Sequence, residues 1–74
     1  MHVQIVMNHS GDSRHTFNPS LPKDAEEAAS RFDDLLRRGY TAVGFETGNE
    51  QGKVLHRFDP STERTLFIPQ LRGG

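Results

Sequence analysis

Seventy-four residues make one small domain, and a chain of this size buries only about 60% of its unfolded surface. The absence of cysteine excludes disulfides, thiolate metal sites and a cysteine nucleophile. A net charge of −1 with both signs interspersed argues against a dedicated nucleic-acid or anionic-membrane binder.

No apolar run nears the about 18 residues of a membrane span. Met1-His2-Val3-Gln4 lacks the basic and apolar regions of a signal peptide, so a soluble, cytoplasmic protein is expected. His2 to Met7 alternates, with Val3, Ile5 and Met7 on one side and His2, Gln4 and Val6 on the other. Such alternation predicts a strand, with the first set buried. Asn8 to Ser13 is turn chemistry, and Arg14-His15-Thr16-Phe17 is a short return strand. Asn18-Pro19-Ser20-Leu21-Pro22 stops it.

A helix is predicted from about residue 23 or 24 to 38. Ala25, Ala28, Ala29, Phe32, Leu35 and Leu36 recur at spacings of three and four and form one apolar stripe. Asp24 with Glu27 three residues on resembles a capping box, and Gly39 is placed for a left-handed C-terminal cap. Glu27–Arg31, Asp33–Arg37 and Asp34–Arg38 are acid-before-base pairs, each contributing about 0.2–0.5 kcal/mol. A second hairpin follows, with strands Tyr40 to Glu46 and Lys53 to Phe58 around a polar turn. Asp59 to Arg64 is an exposed connection, and Thr65 to Ile68 is the last strand. The predicted core is Val3, Ile5, Phe17, Leu21, Ala28, Ala29, Phe32, Leu36, Val43, Phe45, Leu55, Phe58, Leu66 and Ile68.

The order ββαβββ implies an α+β fold, with one helix covering one face of a mixed sheet of four to five strands. Residues 1–68 form the expected domain and 69–74 a flexible tail. That tail ends in Leu71-Arg72-Gly73-Gly74. Met1-x-Val3-x-Ile5, Val43-x-Phe45, Gly52-Lys53-Val54-Leu55-x-x-Phe58-Asp59 and Glu63-x-Thr65-Leu66-x-Ile68 lie ahead of it in order. Together these segments resemble ubiquitin and its relatives, whose fold is the β-grasp. The resemblance implies that the first and last strands lie parallel at the centre of the sheet.

It also implies a function. The chain would be a modifier rather than an enzyme, with no catalytic residue and no cofactor of its own. An activating enzyme adenylates the Gly74 carboxylate, passes it on as a thioester and joins it to an amine of a target protein. Gly73 and Gly74 would let the backbone thread a narrow channel, while Arg72 and Leu71 would contact the activating enzyme, Arg72 through an acidic group. Activating enzyme and targets are the expected partners, with a Gly-Gly-cleaving peptidase as a further one, and the chain is expected to be a monomer. Two alternatives keep the fold: a sulfur carrier with a thiocarboxylate at Gly74, and a binding module without tail chemistry.

Some residues depart from the family. Pro69 stands where ubiquitin continues its last strand, and proline cannot donate in a sheet. Gly44 falls where the family presents an apolar recognition residue, which puts the patch gripped by many ubiquitin receptors in question. Lys23 and Lys53 lie in no clear acceptor context, so chains of linked copies are not expected. The four histidines are scattered without ligand spacing, so no metal site is expected. Ser10, Asp12, Ser13 and His15 contain the residue types of a hydrolase triad but read as hairpin chemistry.

Overall fold

The computed structural model describes residues 1–69. Its elements are β1 (His2–Asn8), β2 (Gly11–Phe17), α1 (Pro22–Arg37), β3 (Tyr40–Phe45), β4 (Lys53–Leu55) and β5 (Arg64–Pro69). They form one five-stranded sheet in the order β2-β1-β5-β3-β4. β1 and β5 pair in parallel at its centre, and every other pairing is antiparallel. With α1 packed on one face, this is the expected β-grasp-like arrangement.

The local chemistry explains the boundaries. Asn8 and Gly11 close the first hairpin, with the Asn8 side chain accepting the Ser10 N–H at 2.9 Å. Gly11 has φ +127°, which a residue with a Cβ rarely adopts. The turn is therefore tight, and Asp12 and Ser13 belong to β2 rather than to the loop.

α1 begins earlier than predicted because Pro22 occupies its first turn, where a missing N–H costs nothing. Leu21 is the N-cap and supplies no side-chain bond. Asp24, expected as the cap, lies inside the helix and reaches back to accept the Asn18 N–H at 3.1 Å. Arg38 closes the other end, and Gly39 follows at φ +94°. Of the three predicted acid–base pairs only Asp34–Arg38 forms, at 2.9 Å. Arg37 bonds the Asp33 carbonyl instead, and Arg31 turns to the sheet. β4 ends at Leu55, three residues short of the prediction. The chain leaves the strand so that Phe58 can pack between Phe17 and Phe32, with centroid separations of 5.9 and 6.0 Å.

The main correction concerns which face of the sheet meets the helix. The core cluster is Val6, Phe32, Leu35, Ala42 and Phe67, and Val6, Phe67 and Ala42 lie side by side in register. In β1, β3 and β5 the helix-facing set is thus opposite in parity to the predicted one. Phe67 is fully buried, 5.6 Å from the Phe32 ring, while Ile68 and Leu21 are exposed. The small side chain of Ala42 leaves volume for the two facing phenyl rings. Gly44 also faces inward, where an added Cβ would come within 2.8 Å of Leu55 and 2.9 Å of Thr62.

Candidate functional site

Because the core takes Val6, Ala42 and Phe67, a second set of apolar side chains is turned to the other side of the sheet. Register pairs align Arg14, Ile5, Leu66, Val43 and Val54 as one row across all five strands. Ile5 is buried and Leu66 and Val43 are half-buried, whereas Val54 is 53% exposed. Met7 and Ile68, also exposed, widen the row on the side toward the end of β5. The exposed part of this face, Met7, Val54 and Ile68 beside the half-buried Val43 and Leu66, is a candidate contact surface. Gly44 does not interrupt it, because that residue lies on the helix side; Val43 occupies the outward position in β3.

At the opposite end of the outer face, the Arg64 guanidinium sits 5.0 Å from the Phe45 ring centroid, a cation–π arrangement. Beside it is an open groove of about 880 Å³ lined in part by Glu46, Glu50 and Glu63. Thr47 donates a hydrogen bond to the Glu63 carboxylate, tying the β3–β4 loop to the start of β5.

The described part of the C-terminal segment is its root. Ile68 lies opposite Thr41 and Pro69 opposite Tyr40, so β5 finishes at the end of the sheet at which β3 begins. Leu71, Arg72, Gly73 and Gly74, the residues expected to carry the chemistry, lie outside the described residues. β5 itself is paired on both sides, to β1 and β3, so the segment departs from a strand held at the centre of the fold.

The other singled-out residues serve the fold. The His2 ring nitrogen lies 2.9 Å from the Pro60 carbonyl, and its ring meets Phe17 edge-on. His15 stands opposite Gln4, so His2 and His15 do not pair across the hairpin. Burial, and then the nearby Arg31 cation, lower the His15 pKa. Among the described residues no three His, Asp or Glu side chains gather as metal ligands do. Ser10 bonds Asn8, while Asp12 and Ser13 alternate across β2. Hydrogen bonds from the Ser61 hydroxyl and N–H close the turn at Asp59 and lower its pKa. Among the described residues no helix is long and apolar enough to cross a membrane.

This row is not predicted as a surface, since Ile5, Val43, Leu66 and Ile68 are expected in the core; of these Ile5 is buried, Val43 and Leu66 are half-buried and Ile68 is exposed. A signal was present: Leu66-Phe67-Ile68 is apolar at every position, as is Ile5-Val6-Met7. Runs of that kind mark strands that bury one apolar face and expose another, or bury both. Comparison with known proteins gives no matching family model, no matching curated protein and no matching solved structure.

Proposed function

We propose that the chain is a ubiquitin-like protein modifier that reacts through the carboxylate of Gly74. The observation that carries this reading is the sequence Leu71-Arg72-Gly73-Gly74 following the central strand of a β-grasp-like fold. In the proposed chemistry the carboxylate attacks the α-phosphate of ATP, releasing pyrophosphate and leaving an acyl adenylate. A thiol of the activating enzyme displaces AMP to give a thioester. A target amine then displaces the thiol and forms an amide. Gly73 and Gly74 suit an end that must enter a narrow cleft, since neither carries a Cβ. From Pro69 the remaining residues span at most about 20 Å, enough to enter a neighbouring enzyme. Arg72 offers a guanidinium to an acidic group at the cleft, and Leu71 an apolar contact.

The fold supports the reading in a further way. An end that is handed between enzymes needs a rigid body behind it, and β5 has strand neighbours on both sides. The outer sheet face beside Ile68 offers the partner an apolar surface adjoining the root of the tail.

The test uses the full chain expressed in its host and recovered by affinity. Peptide mass spectrometry of digested conjugates should find target lysines carrying a branched remnant from the end of this chain. Removal of Gly73 and Gly74 should abolish every such adduct. Adducts that persist without them, or none with the complete sequence, would sink the proposal. A sulfur-for-oxygen exchange in the intact mass, without adducts, would transfer the end to the sulfur-carrier chemistry.

A further inference from the structure

The open edge of β2 is a surface that the tail chemistry does not use. The Val3 N–H donates to the Glu63 carbonyl at 2.9 Å, so odd-numbered residues of β1 direct their backbone groups to β5. Even-numbered residues of β1 therefore bond toward β2, and their partners there, Ser13 opposite Val6 and His15 opposite Gln4, bond back. Asp12, Arg14 and Thr16 are left with N–H and C=O groups aimed at the free edge. Among the described residues no strand lies beyond it. All three side chains are exposed, and the register runs unbroken from His2↔Phe17 to Asn8↔Gly11, with no bulge or proline to deter pairing.

We propose that this edge pairs with the same edge of a second copy of the chain. The two strands run antiparallel about a two-fold axis at Ser13. Asp12 of each copy then lies opposite Arg14 of the other, and each such pair exchanges both backbone hydrogen bonds. One continuous sheet runs through the two copies.

Charge selects this register over its neighbours. An axis at Arg14 sets two guanidiniums directly opposite each other, which is destabilising in a sheet. An axis at His15 places Arg14 opposite Thr16 and gains no ion pair. Edge strands are commonly protected by charged side chains, proline or bulges, but the two charges here, Asp12 and Arg14, are opposite in sign and two residues apart, which makes the edge self-complementary. Shape agrees: Ser13 meets Ser13, and Gly11 leaves room for His15 of the second copy. Exposed ion pairs and backbone bonds without an apolar seal make a weak dimer, populated at high protein concentration, in place of the expected monomer.

Sedimentation equilibrium on the full chain up to millimolar concentration tests this. The wild type should dimerise reversibly, with a dissociation constant that rises with added salt as the ion pairs are screened. Asp12→Arg or Arg14→Asp alone should raise that constant at least about tenfold, or about 1.4 kcal/mol. An equimolar mixture of the two variants should associate at wild-type strength, because one edge is then wholly cationic and the other wholly anionic. A wild type monomeric throughout, single variants that dimerise normally, or a mixture that fails to associate would each overturn the proposal. A measurement without variants stands beside these: exchange of the Asp12, Arg14 and Thr16 amides should slow as wild-type concentration rises, and exchange independent of concentration would overturn it equally.

Discussion

A glutamine facing the core of a small domain is costly unless both ends of its amide are bonded. Gln4, 1% exposed, meets that condition. Its Nε2 donates to the Ala28 carbonyl at 3.0 Å, and its Oε1 accepts from Arg31 at 2.8 Å. One side chain thus fastens the centre of the sheet to the middle of the helix, and it draws Arg31 away from Glu27. His15 stands next to this cluster and pays for it electrostatically. Desolvation first, and then the Arg31 cation, hold its pKa below the ordinary value. The unfolded chain takes up that proton near pH 6.5, the folded chain only at lower pH. Within this window the unfolded state binds more protons, so stability falls as pH falls. The stabilisation is complete above the ordinary value and is lost on acidification through the folded one. Urea midpoints measured at about pH 7.5 and about pH 5 should therefore differ less for His15→Gln than for the wild type. An unchanged difference would remove His15 from the account.

Within elements, β5 makes the sharpest distinction. Phe67 and Ile68 are adjacent, apolar and in the same strand, yet the first is fully buried against Phe32 and the second is 40% exposed. Phe67→Ala should cost about 3–5 kcal/mol, since it opens a cavity between helix and sheet. Ile68→Ala should cost less than about 1 kcal/mol, as surface substitutions usually do. Chemical denaturation of the two variants checks the assignment, and a reversed order would mean that the other face of β5 meets the helix. The helix makes a related point. Its stripe was readable from spacing because a solvent-facing side of charged residues contrasts with it, and Ala28, Phe32 and Leu35 are buried as that contrast indicates. β5 offers no such contrast.

For the molecule as a whole, the order β2-β1-β5-β3-β4 joins the first and last strands at the centre of the sheet. β1 and β5 lie together although most of the sequence separates them, so the closing step of folding is long-range. Such a sheet should open from its edges. Native-state hydrogen exchange is expected to be slowest for the β1, β3 and β5 amides that bond within the sheet. It should be faster for β4 and for the outward amides of β2 at low protein concentration. Equal protection across all five strands would show that opening is global rather than graded.

Much of the architecture was legible from residues alone. Element order, helix stripe and the Gly39 terminator are local signals, written in spacing and in the backbone preferences of proline and glycine. The parallel pairing of the first and last strands came from the family resemblance, and the structure bears it out. The Leu71-Arg72-Gly73-Gly74 ending is also purely a sequence feature, and the proposed chemistry rests on it. What only the tertiary structure decided is the face of the sheet. Where neighbouring residues are apolar at both parities, as in Leu66-Phe67-Ile68, periodicity carries no preference, and in β1 the alternation favours Val3, Ile5 and Met7 although the helix side takes Gln4 and Val6. The choice belongs to packing: Phe67 and Phe32 need the space beside Ala42, and Gln4 needs the Ala28 carbonyl and the Arg31 guanidinium. Those contacts place Ile5, Leu66, Val43 and Val54 on the other face of the sheet, where Val54 and the neighbouring Ile68 are exposed while Ile5 stays buried.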